Sequence, residues 1–134
     1  MRVDGRCLCG FLTYEADVDQ SSVTICNCTD CQTHSGSAFR VTVPAQENSF
    51  KLLSGEPKIY IKVAQSGNKR ALAFCPECGT PVYSRSANGM PGFFGLRVGA
   101  LRQRDLLVPS KQIWCRSAQR WTDKISAIPK TESE

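Results

Sequence analysis

Histidine is almost absent from this chain of 134 residues: His34 is the only one, so an imidazole can fill at most one place in any site. No apolar run approaches the length needed to span a membrane. The opening Met1-Arg2-Val3-Asp4-Gly5-Arg6 reaches a cysteine without the apolar stretch of a signal peptide, which leads us to expect a soluble, cytoplasmic protein. Like charges never run longer than two. Lys58, Lys62, Lys69, Arg70, Arg85, Arg97, Arg102 and Arg104 are dispersed, and no basic stretch is interleaved with aromatics, which argues against nucleic acid as a partner. There are no internal repeats beyond cysteine pairs and no low-complexity segment.

Helix signals are also scarce. Thr29 or Asp30 can cap a short helix that ends at Gly36, and Leu101 to Leu107 can hold one helical turn. Most of the chain instead alternates with period two between turn residues, which predicts a mainly β protein. Phe39, Val41 and Val43 form one such segment that stops at Pro44. Ile59, Ile61 and Val63 form another, after the turn Ser54-Gly55-Glu56-Pro57. Gln65-Ser66-Gly67-Asn68 closes a hairpin into a strand ending at Phe74. Ser86 to Gly92 reads as a loop, followed by strands at Phe93 to Val98 and Gln112 to Arg116. A single domain over 1–125 with a tail over 126–134 is expected, the last four residues frayed.

Cysteine, by contrast, is plentiful at eight. Seven fall into Cys7-Leu8-Cys9-Gly10, Cys26-Asn27-Cys28-Thr29-Asp30-Cys31 and Cys75-Pro76-Glu77-Cys78-Gly79. Thiols at such short fixed spacings in a reducing compartment are metal ligands before they are disulfide partners. Two apart on an extended strand, Cys7 and Cys9 present both sulfurs to one face, with a tight turn at Gly10 behind them. The C-x-x-C-G of Cys75 and Cys78 is a zinc-knuckle spacing. Together these pairs supply the four thiolates of a closed structural zinc. Cys26, Cys28 and Cys31 supply three, and three protein ligands with one free position is the arrangement of a catalytic zinc. The fourth place is open to solvent or substrate, or is filled by His34 or by Cys115, which alternation puts beside Ile113 on an apolar face. Seven thiolates and two zinc ions lower the formal charge of +5 to about +2 in the loaded protein.

The order Gly5-x-Cys7-x-Cys9-Gly10, C-x-C-x-x-C with Gly36, Leu53-Ser54-Gly55-Glu56-Pro57-x-x-Tyr60 and Arg70 ahead of Phe74-Cys75-Pro76-x-Cys78-Gly79 resembles the glutathione-dependent formaldehyde-activating enzyme family, related to centromere protein V. Gly99-Ala100-Leu101 and Ile113 through Trp121 match in order and spacing too. The resemblance implies a β-tent fold of antiparallel strands with very little helix. It also implies two zinc ions, a structural one on Cys7, Cys9, Cys75 and Cys78 and a catalytic one on Cys26, Cys28 and Cys31. The implied activity is that of a carbon-sulfur lyase, adding glutathione reversibly to formaldehyde to give S-hydroxymethylglutathione. Arg40, Arg70 or Arg97 would hold the glutathione carboxylates if they face the cleft, and otherwise are solvated surface charges. Tyr60, Tyr83 and Glu77 are the acid or base candidates. Where family members often carry histidine and a basic residue, this chain has Asn27 and Gln32. The alternatives are a zinc-stabilised binding module with two closed sites and no catalysis, and a thiol-based zinc or redox sensor.

Overall fold

Arg2–Arg6 (β1) and Thr13–Asp17 (β2) pair antiparallel, with Gly5 directly opposite Tyr14. The Tyr14 ring lies over Gly5, so close that a Cβ there would meet its Cζ at 2.3 Å. Lys51–Ser54 (β5) joins the far side of β2 to complete a three-stranded sheet. A computed structural model provides these coordinates and describes residues 1–88 and 92–134. Three residues of the expected 86–92 loop, Gly89, Met90 and Pro91, therefore lie outside the described residues.

The larger sheet contains Thr24–Cys26 (β3), Arg40–Gln46 (β4), Lys58–Val63 (β6), Lys69–Phe74 (β7), Pro81–Ser86 (β8), Phe93–Arg97 (β9) and Lys111–Ile113 (β10). Their order is β10-β3-β4-β9-β8-β7-β6. The protein is mainly β, and Thr29–Ser35 (α1) is the one α-helix among the described residues. Short 3-10 turns make up the remaining helical segments, one of them at Arg104–Leu106 and another over Arg120–Ala127, across position 125.

Period-two alternation divides the larger sheet into two faces. Val43 and Ala45 of β4 and Phe94 and Leu96 of β9 turn toward the small sheet, where they bury against Val3, Leu12, Tyr14, Ala16 and Leu101. Full burial of a valine, leucine or phenylalanine side chain among these stabilises by about 1.5–3 kcal/mol relative to exposure. Phe50 stacks on Phe94 at 4.4 Å between ring centres, and Tyr83 meets Phe94 edge-on at 4.7 Å. On the opposite face of the same strands stand Arg40, Thr42, Gly95 and Arg97, which line a cavity.

Two expectations need correction. The strand expected to stop at Pro44 runs on to Gln46. Pro44 pairs with Gly95, while its carbonyl accepts from the Asp19 amide at 3.0 Å, so its ring nitrogen faces the side that β3 has already left. The strand expected over 112–116 ends at Ile113, because Trp114 adopts the left-handed φ of 57° and Cys115–Ser117 forms a 3-10 turn. Cys115 is consequently exposed rather than aligned with Ile113. The strand pairs are antiparallel as expected except that β10 runs parallel to β3, since the long connection after β9 returns the chain in the same direction. No helix among the described residues is long and apolar enough to cross a membrane.

Candidate metal centres and the cavity beside them

Cys7 follows β1 and Cys9 sits in the turn behind it, closed by the Gly10 amide donating to the Cys7 carbonyl at 3.1 Å. The pair is thus carried by a turn rather than by the extended strand that its spacing suggested. Cys75 follows β7, and its amide donates to the Thr80 carbonyl at 2.9 Å, forming a knuckle with Gly79 at φ 78°. The four sulfurs lie within 4.8 Å of one another, Cys7 to Cys9 at 3.6 Å and Cys9 to Cys75 at 3.8 Å. A tetrahedron with zinc–sulfur bonds of about 2.3 Å has an edge of about 3.8 Å, so the donor set fits that ion. Amides of Leu12 and Glu77 donate to the sulfurs of Cys7 and Cys75 at 3.1 and 3.4 Å, as suits thiolates. The Thr80 hydroxyl beside Cys78 holds that thiol well below the ordinary range.

Cys26 ends β3, Cys28 caps α1 through a bond from the Cys31 amide to its sulfur at 3.3 Å, and Cys31 lies in the first helical turn. These three sulfurs also lie within 4.8 Å of one another. The hydrogen bond between Cys31 and Cys26 holds the Cys26 thiol below its ordinary range and, with burial, pushes Cys31 up. Neither His34 nor Cys115 joins the group. A soft, three-thiol set with no fourth ligand among the described residues fits zinc with a position to spare.

This cluster forms part of the wall of a cavity of about 1050 Å³. Strand register sets its neighbours: Cys26 pairs with Arg40 on β4 and Ile113 on β10, and Thr42 pairs with Arg97 on β9. Arg40 donates to His34 Nδ1 at 2.7 Å, and Arg97 donates to Thr42 Oγ1 at 3.3 Å. Half-buried Arg70 donates to Ser84 Oγ at 3.2 Å. Burial, then the charges of Arg40, Arg97 and Lys62, pushes His34 below its ordinary value, and Arg40's donation leaves the proton of the neutral ring on Nε2. Burial and Arg40 push Arg97 down as well, although a guanidinium stays cationic at neutral pH.

Arg40, Arg70 and Arg97 all face the cavity, and none is a solvated surface charge. Tyr60, Tyr83 and Glu77 do not line it; Tyr83 packs in the aromatic cluster, and Tyr60 and Glu77 are exposed. Sequence reasoning passed over Lys62, Lys111, Thr42 and Trp114 as lining residues. Alternation marks Thr42 and Lys62 as polar-face positions. For Lys111 and Trp114 the parallel pairing of β10 carries no local signal.

The sequence profile of the glutathione-dependent formaldehyde-activating enzyme family matches residues 2–117. The chain belongs to this family. None of the curated proteins compared with it matches. A crystal structure of a Rhodobacter sphaeroides protein is 19% identical, covers 84% of this chain and 99% of its own, and superposes with a TM-score of 0.63, a likeness of fold.

Within this family, the residues Asn27 and Gln32 have a structural explanation here. Asn27 is buried, and its side chain donates to the Ile113 carbonyl at 3.2 Å. Gln32 donates through Nε2 to the carbonyls of Asn27 at 2.8 Å and Ser117 at 3.0 Å. Asn27 ties the three-thiol loop to β10 and Gln32 ties it to the turn after β10, and neither lines the cavity. They hold the three-thiol loop in place rather than facing the cavity.

Proposed function

We propose that this protein is a zinc-dependent carbon-sulfur lyase that forms or cleaves an adduct of glutathione and an aldehyde, in a reducing, cytoplasmic compartment, on a single domain over 1–125. The supporting observation is the three-thiol cluster without a fourth ligand among the described residues, exposed to a cavity lined by arginines. Cys26, Cys28 and Cys31 would hold the catalytic ion, and Cys7, Cys9, Cys75 and Cys78 the structural one. Zinc bound by three thiolates supplies acidity to a thiol in the remaining position and polarises a carbonyl oxygen.

The chain's own residues do the rest. Arg70, Lys62 and Lys111 draw the glutathione carboxylates into the cavity, where among the described residues only Lys62 has a charged partner, Asp30 at 2.8 Å. As the sulfur adds to the aldehyde carbon, the carbonyl oxygen gains negative charge and then a proton. That proton is the one the thiol gave up, and we assign to His34 Nε2–H a hydrogen bond to the oxygen, with Arg40 holding the neutral ring in the tautomer that can donate it. A binding module with two closed centres would need a fourth ligand at Cys26, Cys28 and Cys31, and neither His34 nor Cys115 supplies it.

Exchange spectroscopy on glutathione and formaldehyde tests the reading. Zinc-loaded protein should accelerate adduct exchange with either formaldehyde or a substituted aldehyde, and Cys31→Ser should abolish the acceleration while the fold is kept. No acceleration with any aldehyde would overturn it.

A further inference from the structure

Burying a charged group without a partner is expensive, so cations inside proteins come paired. Arg40 and Arg97 are 6% and 9% exposed, yet neither meets a carboxylate among the described residues. The Nε of each is buried with no hydrogen-bond partner. One end of each guanidinium is anchored on a neutral acceptor, His34 or Thr42, which fixes the plane and leaves donors free. The acids that line the cavity are engaged elsewhere: Asp30 with Lys62, Asp17 with Arg2, and Asp19 with the hydroxyls of Ser21 and Ser22. Three thiolates around a divalent ion carry one net negative charge, which leaves Arg40, Arg97 and Arg70 in excess by about two.

The position of this charge decides what it is for. Arg40 is the cross-strand neighbour of Cys26, and Arg97 is one strand further on, lining the same cavity as Cys26, Cys28 and Cys31. The excess therefore lies at the thiol end of the cavity. Glutathione cannot bring its own carboxylates there easily, because the nearer one is six bonds from its sulfur. A carboxylate on the aldehyde-derived carbon is two bonds away.

We propose that Arg40 and Arg97 form a carboxylate site beside the three-thiol cluster, so that the aldehyde partner is a 2-oxo acid of the glyoxylate type and the adduct is its hemithioacetal. The inference rests on reading the cavity as a thiol–aldehyde site. The step balances without a redox partner: a carbon-sulfur bond forms, the sulfur-hydrogen bond and the carbonyl π bond break, and a proton ends on the former carbonyl oxygen. Two planar forks around one carboxylate suit the bidentate geometry of arginine.

Two unreactive thioethers separate the possibilities, S-carboxymethylglutathione and S-methylglutathione, which differ by one carboxylate next to sulfur. Titration of the zinc-loaded protein, followed by calorimetry, should show at least tenfold tighter binding of the carboxymethyl compound. Arg97→Met should bring the two affinities level. Arg97→Lys, which keeps a charge but loses the fork, serves if Arg97→Met does not fold, and should lose most of the preference. Equal affinities in the wild type would overturn the proposal. If neither thioether binds, the glutathione reading fails, and glycolate alone then decides: binding that Arg97→Met or Arg97→Lys weakens tenfold supports the carboxylate site, and no binding overturns it.

Discussion

Removing one ligand from each candidate centre should have very unequal effects on stability. Cys9 and Cys75 approach to 3.8 Å although they are 66 positions apart, so an ion on the outer cluster closes a long loop between the β1–β2 turn and the β7–β8 knuckle. Loop-closure entropy for that length amounts to about 4 kcal/mol. Cys26 to Cys31 is a short segment whose closure is worth about 2 kcal/mol by the same relation. Even that is an upper figure, because the cap of α1 and the pairing of β3 with β4 already hold the ends. Domains are stable by about 5–15 kcal/mol, so Cys78→Ser, by releasing the outer ion, should remove a large share, and Cys31→Ser a small one.

Urea unfolding of the two metal-loaded variants, followed by the fluorescence of Trp114 and Trp121, measures the difference. With a slope of about 1–3 kcal/mol per molar urea, the midpoint should fall by about 2 M in Cys78→Ser and by less than about 1 M in Cys31→Ser. Bound zinc, counted by emission spectrometry, should drop from two ions to one in each. Equal midpoint shifts, or a Cys78→Ser protein that keeps both ions and the wild-type midpoint, would refute the division into a clasp and a site.

Gly5→Ala forces a Cβ into the Tyr14 ring and should cost about 1–3 kcal/mol in denaturation; the cost should shrink in a Tyr14→Leu background, and strict additivity would contradict the packing. His34 should titrate below its ordinary 6.5, as its single imidazole proton signal will report. Its pKa is depressed in the folded state, so the unfolded chain takes up the proton first. Its contribution to stability is present above 6.5 and is lost as pH falls through the interval beneath, and His34→Gln should flatten the stability profile there. Gln32→Ala removes donors to Asn27 and Ser117 and should cost about 1–2 kcal/mol, with faster amide exchange over 113–119 and an unchanged zinc count.

The sequence carried the parts of this structure that local chemistry determines. Gly36 ends α1 at φ 68° because only a residue without a Cβ adopts that conformation freely, and the cysteine spacings told which thiols could converge. The Ile59, Ile61, Val63 alternation marked β6 for the same reason. Pro44 and Trp114 show where local reading fails. Pro44 breaks a strand only if its missing donor faces a partner, and that depends on where β3 ends. Trp114 turns left-handed, which no residue type announces, and so Cys115 leaves the face that alternation assigned to it.

The donor set and the charge of the cavity act together. Arg40 and Thr42 occupy the polar phase of a strand whose other phase, Val41 and Val43, packs toward the core, and polar-phase residues ordinarily face water. Here that face lies beside the Cys26–Cys31 loop on one side and β10 on the other, so an arginine that reads as solvated becomes a buried cation. Neither event is visible in the strand itself. Once buried, Arg40 and Arg97 need a negative partner, and the thiol cluster supplies only part of one. The residual positive charge therefore belongs to the specificity of the site: it favours an anionic ligand over a neutral one of equal size, and it favours it most at the end where sulfur would react.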